Sequence, residues 1–326
     1  MNILNDIYYS TIYSNLYIDK SYSLFDFEHR EGRNVFKNIA IKKPINKIGN
    51  KEVKGYYDLE TPYGYGGIYC NTSDNDFIKR AFDEYKERCK KENIIAEFFS
   101  FHPFNEFPVR NSNCFDISFK DREVVYLDLN KSEEDRWLDY SSKIRTIIRR
   151  CYKDLVVEDT NDIDTFMSIY YETMEKNNAR GFYFFDRTYF EKLLNIEGVK
   201  LLQVKLNDVV IAMSFFMLGD EIAHYHLSAN KSEYLKYNAN YLILEEGFKL
   251  AKNNGCKYFL LGGGRTPKED DNLFKFKSKF SKMTKGFYLA GNIYNKDIYI
   301  KYISIWEKLN PDNKVKYFLK YRLNNE

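Results

Sequence analysis

Cysteine, histidine and proline are scarce in this chain of 326 residues, and each scarcity excludes something. The five cysteines, Cys70, Cys89, Cys114, Cys151 and Cys256, are odd in number, widely spaced and without a C-x-x-C pair. That argues against a disulfide framework and a zinc knuckle, and reduced thiols in the cytoplasm are the expectation. Of four histidines, His224 and His226 form the one close pair, with no carboxylate or third histidine at ligand spacing, so no metal site is expected. Long apolar runs are also missing. The longest, Val209 to Leu218, falls short of the roughly 20 residues of a membrane-spanning helix, and the opening MNILNDIYYS has no basic segment followed by an apolar run. The expectation is a cytoplasmic protein with no transmembrane segment. Finally, neither sign of charge dominates: 50 basic and 47 acidic side chains leave a net +3. No global field draws the chain to DNA or an anionic membrane, so an anionic substrate must be held by local residues.

What is abundant is aromatic, with 29 Tyr and 26 Phe, more than a core alone demands and suited to partly wet clefts. The length favours two domains, taken here as 1–150 and 151–326. In the first, a strand from Val35 to Ile41, a turn-rich loop Thr61 to Gly67, a helix from about Asp76 to Asn93 and strands Ile94 to Phe101 and Val124 to Leu129 give an α/β order. Ser132 to Asp135 reads as a capping box opening one long helix with Trp137, Tyr140, Ile144, Ile147, Ile148 and Cys151 inward. A helix from about Asp162 to Asn177 follows. Strands Lys200 to Leu206, Val209 to Leu218 and Glu221 to Ser228, joined by the two-residue turns Asn207-Asp208 and Gly219-Asp220, imply an antiparallel meander. A helix from about Asn238 to Asn253 then leads into the strand Lys257 to Leu261.

Four constellations carry candidate chemistry. Gly262, Gly263 and Gly264 end a strand and allow close backbone or ligand approach. After them, Leu273, Phe276 and Phe280 share one helical face and aim Lys277, although a solvated basic face accounts for the surrounding lysines equally well. In the second, His224, Tyr225, His226 and Ser228 end a strand whose alternation puts both histidines and Ser228 on one side; a proton-handling role for His226 competes with a packed, satisfied imidazole. The third, Asp58 to Gly67, sets Asp58 and Glu60 at alternate strand positions before the glycine-flanked Tyr63 and Tyr65, with Gly66 and Gly67 closing a loop able to cover a substrate. The fourth is Arg145 and Arg149, one helical turn apart, which could grip phosphate or lie on a solvated face.

In these residues the chain resembles the Fem-type non-ribosomal aminoacyltransferases, which contain repeated acetyltransferase-like (GNAT) folds. The resemblance rests on Tyr57 to Gly67, Ser228 to Asn230, Tyr241 to Glu246 with Ala251 and Gly255, Leu261 to Gly264, and Phe276-Lys277 with Phe280. It covers about Tyr56 to Tyr294, in a short form without the coiled-coil arm of larger members. It implies two GNAT-like domains with mixed, mainly antiparallel sheets facing a shared cleft. It also implies transfer of an aminoacyl or acyl group to an amine of a cell-wall or surface-polysaccharide precursor. Lys277 would stabilise charge on the transferring group and His226 would assist, with Glu60, Tyr63, Tyr65, Gly66, Gly67, Arg145, Arg149, Tyr225, Ser228, Gly262, Gly263, Gly264 and Phe276 binding substrate. No tightly bound cofactor is implied. The acyl donor is an aminoacyl-tRNA or an acyl-CoA, and the stretch Lys231 to Asn240, where an acetyltransferase cradles the CoA pyrophosphate, has no glycine. A CoA-dependent N-acyltransferase of an amino sugar and a non-catalytic glycan- or peptide-binding module are the alternatives.

Overall fold

The structure, a computed structural model, describes residues 2–179 and 181–323. Two compact units are present, one taking the residues up to Ile7 with Arg122–Lys285, the other Tyr8–Asp121 with the chain from Gly286 onward. The chain passes from unit to unit after Ile7, after Asp121 and after Lys285, where the order of elements in the sequence suggests a single passage near residue 150. Each unit is completed by a segment distant in sequence, and consecutive elements carry no sign of such a return.

In the unit containing Arg122–Lys285, strands Val199–Leu206, Val209–Leu218 and Ile222–Asn230 form the expected antiparallel meander. Asn207 turns the first corner in the left-handed conformation, φ 53°, which asparagine tolerates better than most residues. The helix Ala239–Asn253 then crosses over and delivers Tyr258–Gly262 parallel to the start of Ile222–Asn230. Val125–Asp128 closes that side antiparallel, and Leu155–Asp159 closes the other. In the second unit, Ser23–Glu31, Asn34–Pro44 and Tyr57–Glu60 pair antiparallel. The helix Asn75–Lys91 delivers Ile94–Ser100 parallel to Tyr57–Glu60, and Leu289–Ile293 adds an antiparallel strand. The same order of meander, helix, parallel strand and closing antiparallel strand thus occurs in both units, as the mixed, mainly antiparallel expectation requires. Among the described residues no helix is long and apolar enough to cross a membrane.

The apolar faces read from the sequence are the buried ones. Phe77, Ala81, Phe82, Tyr85 and Cys89 line the inner face of Asn75–Lys91, at the spacing of successive helical turns. One expected element is wrong. The helix capped by Ser132 stops at Asp139, and Ser141 caps a second one, Ser142–Asp154. Tyr140 between them is extended, with ψ 142°. Arg145 donates to the carbonyls of Trp137 and Tyr140, at 3.1 and 2.7 Å, so the helix end is satisfied without further turns.

That break turns Tyr140 inward to a buried charge. Glu245, on Ala239–Asn253, is wholly buried and receives both terminal nitrogens of Arg136 at 2.8 and 2.7 Å, the Tyr140 hydroxyl at 2.9 Å and the Trp137 indole at 3.1 Å. The guanidinium matches the carboxylate fork and the aromatic donors use its remaining lone pairs, which is what a buried pair needs to offset desolvation. Removing one partner strands the other charge. Arg136→Ala is expected to lower the unfolding free energy by about 3–5 kcal/mol in urea titrations. Lys131→Ala, which breaks a surface pair with Asp139, should change it by less than about 1 kcal/mol. Similar losses in the two variants would show that the Glu245 cluster carries no special weight.

Candidate active site

The strand Tyr258–Gly262 ends in the three glycines, and their surroundings explain why no side chain is present. Gly262 has φ 79°. A Cβ on Gly263 would lie 2.9 Å from the Arg122 side chain and 3.1 Å from the Glu123 carbonyl; one on Gly264 would lie 2.4 Å from the Asp271 carboxylate. The Asp271 carboxylate joins this loop to the helix that follows. Its Oδ1 accepts the amides of Leu273 and Phe274, capping Asn272–Lys277, while Oδ2 accepts the amides of Arg265 and Thr266 and the Thr266 hydroxyl. Burial alone would raise its pKa, but these donors outweigh it and hold the carboxyl below its usual range.

Lys277, at the end of that helix, is 7% exposed and donates to the Gly263 carbonyl at 2.8 Å. Burial pushes its pKa down to about 7; Asp271 opposes the shift and the Arg122 guanidinium adds to it. Lys275 is exposed. Arg122, which the sequence reading missed because nothing in its neighbourhood marks it, donates to the Gly264 carbonyl at 2.8 Å. The helix ends at Lys277, so Phe280 lies beyond it instead of on a face shared with Leu273 and Phe276, yet both rings anchor this end: Phe276 meets Tyr241 edge-on at 5.1 Å and Phe280 packs with Phe248 and Tyr140, each at 5.6 Å between ring centres. Phe276 and Tyr241 also line a cavity of about 180 Å³ with Asn230, Lys231, Tyr234 and Asn240. This cavity lies at the start of Ala239–Asn253, a helix whose first amides have no side-chain cap.

The histidine strand differs from its expectation. A bulge lies between the pairs Ser214–Ser228 and Phe216–Tyr225, so alternation is interrupted and Ser228 shares a face with Tyr225 instead of the histidines. The Ser228 hydroxyl accepts from Ser214 at 2.7 Å, and both serines face Tyr225. His226 instead meets the Tyr189 hydroxyl at 3.2 Å. Desolvation, with His224 nearby, pushes its pKa down to about 3, leaving a neutral imidazole. His224 finds the carboxylate that its sequence neighbourhood lacks: its Nε2 lies 2.6 Å from Asp6.

The remaining expected residues are held as follows. In the second unit, Asp58 is wholly buried and receives Tyr321 and Arg322, both at 2.7 Å; Glu60 receives Tyr317 at 3.0 Å and pairs with Lys43. Asp58 and Glu60 therefore fasten the C-terminal segment to the strand Tyr57–Glu60. The loop beyond is tightly packed. The Tyr63 carbonyl accepts the Tyr13 hydroxyl at 2.6 Å, the Gly66 carbonyl that of Tyr9 at 2.6 Å, and Tyr65 packs edge-on against Tyr8, His102 and Phe287. At Gly67, φ 80°, the Phe101 ring occupies the space a Cβ would need. Arg145 is spent on the helix end described above, and Arg149 lies over the Trp137 ring at 5.6 Å.

Residues 140–277 match the family model described as an acetyltransferase (GNAT) domain, a match that ends on Lys277 itself. This stretch has the fold of a GNAT domain. The chain as a whole is similar in structure to FemX, with a TM-score of 0.70 over 92% of this chain and 94% of that one at 13% identity. It is also similar to the C-terminal domain of a putative lysylphosphatidylglycerol synthetase from Agrobacterium fabrum, with a TM-score of 0.54 over 84% of each chain at 14% identity. A tandem GNAT protein from the clavulanic acid biosynthesis pathway gives 0.50 over 87% and 88% at 9% identity. At such identities the likeness is one of fold, and it is the Fem-type, twice-GNAT fold the sequence resembles. Comparison with curated protein sequences finds no match.

The depressed pKa of Lys277 in the GNAT domain has a measurable consequence. Between pH about 7 and 10.5 the unfolded chain holds a proton on this amine that the folded chain does not, so its contribution makes stability rise with pH across that window. Lys277→Met removes the titration. The stability difference between wild type and Lys277→Met should shift in favour of wild type from pH 7 to pH 10 in denaturant titrations, and a constant difference would show an ordinary, hydrated lysine.

Proposed function

We propose that the protein transfers an aminoacyl or acyl group to an amine of a cell-wall or surface-polysaccharide precursor, with Lys277 at the reacting centre. The observation that carries this is the buried Lys277 amine, fixed on the Gly263 carbonyl within a GNAT domain. Amine attack on an activated ester or thioester needs positioning and stabilisation of the developing oxyanion more than a covalent intermediate. A preorganised cationic donor in apolar surroundings supplies that stabilisation. The names of two fold neighbours, FemX and a lysylphosphatidylglycerol synthetase, favour an aminoacyl donor and a cell-envelope acceptor.

The donor is proposed to lie along the cavity beside Phe276 and Tyr241, with its phosphates toward the uncapped start of Ala239–Asn253, where free amides and the helix dipole favour negative charge. Both an aminoacyl-tRNA end and CoA carry such phosphates. Lys231, Tyr234 and Asn240 line this cavity in the stretch where an acetyltransferase carries the glycines of its pyrophosphate loop, which favours the RNA donor. Tyr63, Tyr65, Gly66 and Gly67 are proposed to contact the acceptor. His226, neutral and engaged with Tyr189, is proposed to support the fold of its strand instead of moving a proton.

The test is transfer from charged tRNA and, separately, from acyl-CoA to cell-wall precursor peptides and amino sugars. Lys277→Met should lower turnover about 10²–10³-fold, the usual cost of one preorganised donor, and Lys275→Met should stay near wild type. Equal, small effects of the two substitutions would reject the assignment. Turnover only from acyl-CoA would select the CoA-dependent N-acyltransferase, and binding of an acceptor without turnover from either donor would select the non-catalytic module.

A further inference from the structure

One buried polar group in the unit formed by Tyr8–Asp121 and the chain beyond Gly286 has no part in the chemistry above. Asn292, on the strand Thr284–Ile293, is only 2% exposed. Its Oδ1 accepts the Asp116 backbone N–H at 3.1 Å. That bond sets the amide's orientation, because a flipped amide would face one donor with another. The Nδ2 end therefore points away from Asp116, and it has no hydrogen-bond partner among the described residues. Buried amide donors are nearly always satisfied, so this one calls for an acceptor.

Asn292 lines a cavity of about 200 Å³ with Lys86, Lys90, Cys114 and Asp116. That is several times the roughly 30 Å³ share of one water molecule. Lys86 and Lys90 stand one turn apart on the helix Asn75–Lys91 and so reach the same wall. Lys90 pairs with Glu87 at 2.8 Å, while Lys86 has no ion pair among the described residues, its nitrogen lying 5.2 Å from the Phe82 ring centre. Asp116 is the one carboxylate on the wall, and its Oδ2 already accepts the Ile293 amide at 2.7 Å. With Lys86 unpaired among the described residues and the one carboxylate already accepting an amide, the wall favours an anion over a cation, and the uncommitted amide donor asks for oxygen.

We propose that this cavity binds a small oxyanion, either a carboxylate or a phosphoryl group, with one oxygen accepting from Asn292 Nδ2 and its charge facing Lys86 and Lys90. The site lies outside the GNAT stretch 140–277 and is separate from the Lys277 centre in sequence and in unit. Calorimetric titration of the full chain with inorganic phosphate and, separately, with acetate tests it, at an ionic strength held constant with chloride. Saturable binding of at least one anion is expected, and which one saturates identifies the headgroup. Lys86→Gln should weaken that binding about tenfold or more, the worth of one charge-assisted hydrogen bond. Asn292→Asp keeps the acceptor for the Asp116 amide and sets a negative charge against the ligand, so it should abolish binding. Absence of saturation with both anions, or wild-type binding in a folded Lys86→Gln variant, would overturn the proposal.

Discussion

A carboxylate can hold two pieces of backbone at once only if each oxygen meets donors from a different piece, and Asp271 does this for the candidate site. One oxygen caps the helix Asn272–Lys277 and the other gathers the amides of Arg265 and Thr266. The glycine loop and the lysine helix are thereby fixed to each other, and Lys277 reaches the Gly263 carbonyl because both ends of that contact are tied to the same side chain. A helix of six residues is too short to hold its own shape in water. Its geometry comes from the cap at one end and from Phe276 and Phe280 packed on Tyr241 and Phe248 at the other.

The two units repeat one order of elements but solve their polar interiors differently. In the GNAT unit, the buried Glu245 is neutralised by a guanidinium and two aromatic donors. In the second unit, Glu97 on the parallel strand is met, among the described residues, by neutral groups alone: Asn38 at 2.7 Å, Tyr85 at 2.7 Å and Tyr294 at 2.6 Å. Burial pushes its pKa up to about 7, against the three hydrogen bonds that favour the anion. Asp58 stands between these cases: burial pushes it up to about 6 although Arg322 is beside it. Every one of these carboxylates binds elements far apart in sequence, so each specifies which strand or tail lies where, a role that apolar packing of interchangeable Phe and Tyr rings serves less sharply.

Much of this was legible from local pattern. The meander was written in its two tight turns, the helix Asn75–Lys91 in its five-residue face, and the aromatic packing beside Lys277 in Phe276 and Phe280, although the helix they were read onto stops at Lys277. What escaped depends on distance in sequence. Ser132 announced a helix correctly, but its end was decided by Arg145 reaching back to two carbonyls and by a competing cap at Ser141. Ser228 left the histidine face because of a bulge, an inserted residue whose effect appears only against the partner strand. Arg145 and Arg149 looked like a phosphate grip, yet one closes a helix and the other stacks on Trp137. The partner of His224 is Asp6, and those of Asp58 are Tyr321 and Arg322. Side-chain chemistry names what a residue can do, whereas its partner is chosen by the return of remote chain.

The weak basicity of Lys277 bears on how such a site gains specificity for a transition state. A hydrated lysine carries its full charge before substrate arrives and gives much of its attraction away to water. Lys277, with a pKa of about 7, is only part-charged at neutral pH because burial and Arg122 oppose the proton. Negative charge developing on a transferring acyl oxygen nearby would relieve that opposition and raise the amine's proton affinity as the barrier is approached. In the role proposed for Lys277, the stabilisation would then grow with the charge it meets instead of being present equally in the ground state, and only such a difference accelerates a reaction. Arg122 adds to burial in keeping the amine too weak a base to hold its proton always, and Asp271, which opposes both, keeps it basic enough to hold one when needed.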